Sequence, residues 1–234
     1  MKKYQIIFTL LLFIGVSSCK KDLTSEGVST TETYVRFDLT GPSTLILPIG
    51  TNFVDPGYKG VEGTTDVTDK VKVVSTVDGS TLGLYTITYS AVNIHGYSSS
   101  LVRTVIIYNP KSPDIDLSGG YSSTVNRVKP ARSFKKLNVD IVKIATGFFY
   151  ISDFIGGFYD QGAAYLYGSS YAVTGYFVIN QDNTLSLVSS QSDGFSATLN
   201  DFQNGIYDPE TGELSWDAFY TTSNYQFSVV LTKK

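Results

Sequence analysis

Residues 84–92 show the strongest alternation of apolar and polar side chains in the chain, reading Leu-Tyr-Thr-Ile-Thr-Tyr-Ser-Ala-Val. Because successive side chains of a strand point to opposite faces, every second residue from Tyr85 to Ala91 is predicted to face a core. Similar short runs recur along the chain, separated by glycine, proline, asparagine and aspartate. Helical periodicity is scarce, and an aromatic content of 14% favours strands. The sequence therefore predicts an all-β protein.

The N-terminus has the pattern of a secretory signal. Lys2 and Lys3 precede an apolar run from Ile6 to Val16, which is about half the ~20 residues that a spanning helix needs. The segment 16–19, Val-Ser-Ser-Cys, resembles the lipobox of bacterial lipoproteins. That resemblance implies a signal peptide over 1–18, a lipid on Cys19 and an outer-membrane location, with the membrane face left open.

Composition excludes several classes of function. Without Lys2 and Lys3, 16 basic residues remain against 21 acidic ones, so the mature chain has a side-chain charge of about −5, which argues against nucleic acid as a partner. With Cys19 acylated, no thiol remains for a disulfide or thiolate catalysis. The single histidine, His95, supports neither a Ser-His-Asp triad nor a zinc site. No cofactor and no metal are expected.

The first half of the mature chain is predicted to be a β-sandwich over 34–109, after a polar spacer over 19–33. The segment 53–58, Phe-Val-Asp-Pro-Gly-Tyr, and the strand 83–91 resemble the two sequence motifs of bacterial immunoglobulin-like repeats. This resemblance covers nearly all of residues 41–108 and implies a spacer or presentation module. Two prolines then mark a semi-stiff linker over 110–117.

Residues 118–234 contain a second series of about nine or ten short predicted strands, richer in aromatics, which includes strands at 165–167 and 194–199. The turn clusters at 180–183 and 208–212 indicate hairpins, and a meander of this length closes most easily into an antiparallel barrel. The segments 150–153 and 207–216 resemble C-terminal calycin-like domains of Bacteroidetes lipoproteins, for which no activity is implied.

Aromatic side chains are the most suggestive functional feature, because sugar rings stack on aromatic faces. The segment 156–162 reads as a mobile loop that exposes aromatic and amide groups. Trp216 lies on a strand with alternating side chains, where a core position is favoured over a binding role by about two to one. The candidate ligand-binding residues are Phe158, Tyr159, Asp160, Gln161, Trp216 and Tyr220.

The leading functional hypothesis is an accessory glycan-binding lipoprotein, similar in layout to those that serve outer-membrane transport proteins. A structural or assembly lipoprotein that binds a protein is the second hypothesis, and a carrier of a hydrophobic ligand is another. A glycosidase would need two facing carboxyl groups, drawn from Asp153, Asp160, Asp193, Asp201, Asp208, Glu210, Glu213 and Asp217. For Asp114, Asp116, Asp182 and Asn183, turn formation is favoured over calcium binding.

Overall fold

The structure, a computed structural model, describes residues 31–220 and 225–234. The predicted signal peptide, Cys19 and most of the predicted spacer lie outside these residues. Residues Tyr34–Lys234 form one compact unit. In the part of the chain that the structure describes, no helix has both the length and the apolar character needed to cross a membrane.

Seven strands form the N-terminal β-sandwich. They are β1 (Val35–Leu39), β2 (Thr44–Pro48), β3 (Tyr58–Glu62), β4 (Thr65–Asp66), β5 (Lys72–Ser75), β6 (Gly83–Val92) and β7 (Ser98–Tyr108). One sheet has the order β1-β3-β4 and the other β2-β7-β6-β5, with β2 parallel to β7. As the alternation predicts, Ile87, Tyr89 and Ala91 of β6 are buried.

The Asp-Pro-Gly motif of the sandwich holds its loop against the core. The Asp55 carboxylate accepts hydrogen bonds from the Gly57 backbone N–H at 3.1 Å and from the Tyr89 hydroxyl at 2.8 Å. It also pairs with Arg103, whose side chain is fully buried and donates to the carbonyl oxygens of Thr40 and Gly57. The residues that carry the family resemblance therefore have a structural role here.

Eight antiparallel strands form a nearly closed C-terminal barrel, in the order β12-β11-β10-β9-β8-β15-β14-β13. They are β8 (Gly119–Arg127), β9 (Arg132–Ala145), β10 (Phe148–Ile151), β11 (Thr174–Ile179), β12 (Leu185–Gln191), β13 (Leu199–Tyr207), β14 (Leu214–Tyr220) and β15 (Tyr225–Lys233). The edge strands β12 and β13 approach each other at their ends, where antiparallel bridges join Thr184 to Ile206 and Ser192 to Ala197. The predicted fold class, an immunoglobulin-like sandwich followed by an antiparallel barrel, is confirmed.

The segment 152–173, which joins β10 to β11, packs into the barrel core, and we call it the plug. Phe154, Ile155 and Phe158 of the plug are buried among inward-facing residues of the strands. Gly156 lies so close to the wall that a Cβ there would be 2.5 Å from Ser123 Oγ. The Trp216 indole donates to the Phe154 carbonyl at 2.7 Å, which fixes the plug to β14.

Two predicted strands are wrong. The residues predicted as a strand at 165–167 lie in the plug, where Leu166 has a left-handed φ of 50° that no strand permits. The predicted strand 194–199 is largely a turn, with Ser196 at φ 48°. In both cases aromatic residues with high strand propensity lie in turns because their side chains pack on the barrel core.

The sandwich and the barrel share a buried apolar cluster. Ile106 of β7 packs with Phe148 of β10 and Val178 of β11, and each of the three is at most 5% exposed. The segment predicted as a linker lies against the barrel, since Leu117 is buried and the Gln181 amide donates to the Lys111 carbonyl at 3.2 Å.

Candidate functional site

The outer face of strands β9, β10 and β11 presents polar side chains over an apolar interior. Val139 and Ile141 of β9 point into the core, so the residues that alternate with them, Asn138 and Asp140, are exposed. On β10, Ile151 is buried and Tyr150 is half-buried on the outer side. The strand period therefore places hydroxyl, amide and carboxylate groups on one rigid surface.

A pocket of about 390 Å³ opens on this outer face, where the plug crosses the strands. Its volume lies within the range of small-ligand sites. The lining combines two carboxylates, two amides, three aliphatic hydroxyls, one methyl group and one phenol, from Asn138, Asp140, Tyr150, Ser152, Asp160, Gln161, Ser169, Ala172 and Thr174. We call it the polar pocket.

Gln161 positions the plug side of the polar pocket. Its side-chain oxygen accepts the Asn138 backbone N–H at 2.9 Å, and its amide nitrogen donates to the Asn138 carbonyl at 2.8 Å. The same nitrogen donates to the Asp160 carboxylate at 3.1 Å. These contacts occupy both the oxygen and the nitrogen of the Gln161 amide, so its role is to orient Asp160. The Asp160 and Asp140 carboxylates line the pocket, where a ligand could contact them.

Asp153 fixes both ends of the plug below the polar pocket. Its carboxylate accepts backbone N–H groups of Ile155 and Gly157, both at 2.9 Å, and of Val173 at 3.0 Å. Burial of the side chain, which is 1% exposed, raises the pKa of Asp153 to about 6 against the three hydrogen bonds, and the nearby charge of Asp160 adds to the rise. This carboxyl group is enclosed by protein and is not part of the pocket lining.

The structure divides the six residues predicted to bind a ligand into two groups. Asp160 and Gln161 line the polar pocket. The other four are core residues, each at most 6% exposed, namely Phe158, Tyr159, Trp216 and Tyr220. The expectation that the segment 156–162 exposes its aromatic rings is wrong, because those rings pack inside the barrel against neighbouring aromatics such as Phe227.

Sequence reasoning missed seven of the nine residues that line the polar pocket, namely Asp140, Asn138, Tyr150, Ser152, Ser169, Ala172 and Thr174. A signal for the first of these was present, since Asp140 alternates with the apolar residues Val139 and Ile141 on a strand. The approach of the plug to these strands rests on long-range contacts that no local pattern shows.

Aspartates considered as calcium ligands have other partners. The Asp182 carboxylate accepts the N–H and hydroxyl groups of Thr184, Asp116 accepts the Ser118 N–H, and Asp114 pairs with Lys143 at 2.6 Å. Within residues 31–220 and 225–234, no group of three histidine, cysteine or acidic side chains is arranged to hold a metal ion.

A second exposed feature lies on the plug, where Leu166 and Tyr167 are 67% and 49% exposed. The Tyr167 ring stacks on Tyr159, with an interplanar angle of 4° and a centroid distance of 6.1 Å. Tyr171 packs edge-on against Tyr167 and against Phe195. We call Leu166, Tyr167 and Tyr171 the aromatic patch, which has more apolar surface than the polar pocket.

Comparison with known families and structures gives matches over both halves of the chain. Residues 37–107 match the family of bacterial surface protein Ig-like domains, which confirms the predicted immunoglobulin-like resemblance. Residues 110–233 match a family described as a C-terminal domain. No curated protein matches the chain.

Two solved structures illustrate the range of similarity. The lipoprotein BT2262 from Bacteroides thetaiotaomicron is 31% identical, and the match covers 86% of this chain and 100% of that one with a TM-score of 0.47. A structure of CBM51-2 in complex with GlcNAc and INT domains, from Clostridium perfringens ZmpB, is 16% identical, covers 50% of this chain and 29% of that chain, and has a TM-score of 0.26.

Proposed function

Since this chain belongs to the family of the Bacteroides lipoprotein BT2262 and carries a bacterial surface Ig-like domain, it is a cell-envelope protein, and we propose that it binds neutral glycans in the polar pocket. We further propose that residues 1–18 are removed, that Cys19 is acylated, and that the acyl chains anchor the protein in the outer membrane. The sandwich then acts as a spacer and the barrel as the binding domain.

The composition of the polar pocket carries the glycan proposal. A sugar presents several hydroxyl groups, and carboxylates such as Asp140 and Asp160 accept hydrogen bonds from hydroxyls more strongly than neutral groups do. The half-buried Tyr150 ring offers an apolar face and a hydroxyl in the same cavity. These groups lie on sheet strands and on a plug fixed by Gln161, so little conformational freedom is lost on binding.

The charge of the polar pocket selects among glycans. Its lining contains two acidic residues and no lysine or arginine, and the Lys234 ammonium group lies at its edge, where it donates to the Asn138 side chain. Uronic acids, sialic acids and sulfated sugars would bring a third negative charge close to Asp140 and Asp160. Because the two carboxylates line the pocket and the Lys234 ammonium group lies only at its edge, neutral sugars are the expected ligands.

Affinity electrophoresis of the mature chain against neutral and acidic polysaccharides tests this proposal. Retardation by a neutral glycan is expected, with Asp140→Asn and Asp160→Asn each weakening binding about 10- to 100-fold, because a hydrogen bond to a charged group contributes about 1.5–3 kcal/mol. Asp193→Asn, an exposed aspartate of the barrel that does not line the pocket, is the matched control and should bind as wild type. Equal retardation of all variants would refute the polar pocket as the site.

A protein partner is the second candidate, and the aromatic patch favours it. Leu166 is exposed and has a left-handed backbone conformation, and Tyr167 beside it is half exposed. Tyrosine is frequent among the residues that anchor protein interfaces, and an exposed apolar neighbour such as Leu166 enlarges the apolar surface. Retention of an outer-membrane transport protein by wild type, lost in Leu166→Ser but kept in Asp140→Asn, would support this function.

The remaining alternatives have less support. A hydrophobic-ligand carrier needs an apolar lumen, whereas plug residues such as Phe154 and Phe158 occupy the barrel interior. A glycosidase needs a proton-donating acid at the substrate. The carboxyl group with the raised pKa, Asp153, is enclosed by protein and bonded to backbone amides. We therefore propose binding without catalysis, and release of new reducing ends from a bound glycan would contradict it.

A further inference from the structure

One end of the sandwich presents apolar side chains to solvent. Val92, Ile94 and Tyr97 belong to or adjoin the turn between β6 and β7, and they are 57%, 77% and 49% exposed. Tyr34, at the start of the compact unit, is 55% exposed, and its ring lies 5.9 Å from that of Tyr97. We call these four residues the apolar tip.

Hydrogen bonds hold the turn of the apolar tip in one conformation. The buried Asn93 side-chain oxygen accepts the backbone N–H groups of His95 at 3.0 Å and Tyr97 at 2.8 Å. Gly96 has a φ of 89°, which permits the tight turn. The Ile94 backbone N–H donates to the Glu62 carboxylate at 3.2 Å. The exposed aliphatic side chains are thus presented by a braced turn.

The position of the chain entry indicates what covers the apolar tip. Tyr34 follows Cys19 by 15 residues, a length that spans at most about 50 Å when fully extended. The chain enters the compact unit at Tyr34, whose ring contacts Tyr97 of the tip. A lipid anchor at Cys19 would therefore be connected to the sandwich at the end that exposes the apolar residues.

We propose that the apolar tip lies in the interfacial region of the bilayer that holds the acyl chains of Cys19; this inference rests on the proposed lipid anchor. Tyrosine suits that region, because its ring is apolar and its hydroxyl reaches water and headgroups. Ile94 and Val92 supply aliphatic surface, and the Glu62 carboxylate beside them accepts the Ile94 N–H. The tip adds a second membrane contact to the anchor.

Spin labelling of the acylated mature protein, residues 19–234, in phosphatidylethanolamine vesicles tests this contact. The chain has one cysteine, and acylation blocks it, so Ile94→Cys provides the only free thiol for the label. Val102→Cys, which is 45% exposed on β7 of the same sandwich, and Leu166→Cys on the barrel are matched controls. Collision with oxygen reports the bilayer, and collision with a water-soluble nickel complex reports solvent.

We expect the label at residue 94 to collide more with oxygen than with the nickel complex, and the labels at 102 and 166 to show the reverse. If the vesicle-bound protein gives the aqueous ratio at residue 94, the proposed contact is overturned while the anchor stands. If instead the acylated Cys19 form cannot be obtained because the protein stays out of the membrane fraction, the anchor is refuted and the contact with it.

Discussion

The sandwich and the barrel each fix a loop with a carboxylate, and the two sites differ in what balances the charge. In the sandwich, Asp55 pairs with the buried guanidinium group of Arg103 and accepts the Tyr89 hydroxyl. In the barrel, Asp153 is bonded to three backbone N–H groups. Throughout residues 31–220 and 225–234, no cationic side chain is paired with Asp153.

This difference shows how the same residue type can stabilise a loop in two ways. An arginine partner supplies a full compensating charge, so Asp55 and Arg103 depend on each other. Backbone dipoles alone leave the buried Asp153 carboxyl with a pKa raised to about 6, and the charge of Asp160 in the polar pocket contributes to that rise. The barrel loop is therefore electrostatically connected to the proposed binding site, whereas the sandwich loop has a balanced pair of its own.

The largest effect is expected from Arg103→Ala. Removing the guanidinium group leaves the Asp55 carboxylate without its cationic partner and takes one hydrogen-bond donor from each of the carbonyl oxygens of Thr40 and Gly57. The free energy of unfolding of the sandwich should fall by about 3–5 kcal/mol, measured by hydrogen exchange of the β6 amides.

Arg36→Ala is the matched control for that variant. Arg36 pairs with Asp38 on the surface, where the two side chains are 71% and 51% exposed, and such pairs contribute about 0–1 kcal/mol. Equal losses of unfolding free energy in the two variants would show that the buried ion pair contributes no more than the exposed one.

Asp153→Asn should change how the stability of the barrel depends on pH. Because burial raises the folded-state pKa from 3.8 to about 6, the folded protein binds this proton more tightly than the unfolded chain does. The group thus stabilises the fold below pH 4, and that contribution, on the order of 3 kcal/mol, is lost as pH rises from about 4 to 6. Denaturant unfolding followed by Trp216 fluorescence measures it.

The variant should lose this pH-dependent fall, and at pH 7 two effects oppose each other. The neutral amide avoids the cost of burying a charge, whereas it leaves one backbone N–H without an acceptor, which costs about 1–3 kcal/mol. Asp208→Asn is the control, since hydrogen bonds from Glu210 and Thr211 lower the pKa of that carboxyl group. Its contribution has the opposite sign, with stability lost as pH falls. Identical pH profiles for wild type and Asp153→Asn would contradict the assignment.

Tyr150→Ala should weaken glycan binding without loss of the fold. The ring lines the polar pocket and packs edge-on against Tyr176 at a centroid distance of 5.5 Å. An aromatic contact contributes about 0.5–1.5 kcal/mol, so the dissociation constant for the glycan should rise up to about tenfold. Calorimetric titration measures the change, and Tyr167→Ala, on the aromatic patch, should leave it unaltered.

The smallest effect is expected from the charge of Asp160 on the buried Asp153 carboxyl. Asp160→Asn removes a charge that raises the pKa of Asp153, so the fall in barrel stability with pH should end at a lower pH than in wild type. The same denaturant titrations detect this shift. An unchanged midpoint would mean that the polar pocket and the plug are electrostatically independent.

The fold followed from local patterns more closely than the site did. Alternation from Tyr85 to Ala91 was sufficient to place β6 and its buried face, and turn residues indicated the hairpins of the barrel. The plug could not be predicted in this way. Its aromatic residues, such as Phe158, have strand propensity, and their burial depends on partners distant in sequence, such as Phe227. Asp160 was selected from its loop context, whereas Asp140 needed the three-dimensional approach of the plug to become part of a pocket.

Backbone NMR of the mature chain during titration with a neutral oligosaccharide tests directly whether the polar pocket binds a neutral glycan. We predict that the largest shift changes occur at the amides of Asn138, Ser152 and Thr174, around the polar pocket, and that they disappear in a variant with both Asp140→Asn and Asp160→Asn. Changes centred on Leu166 and Tyr167 would instead assign binding to the aromatic patch, and changes that persist in the double variant would refute the role of the two carboxylates.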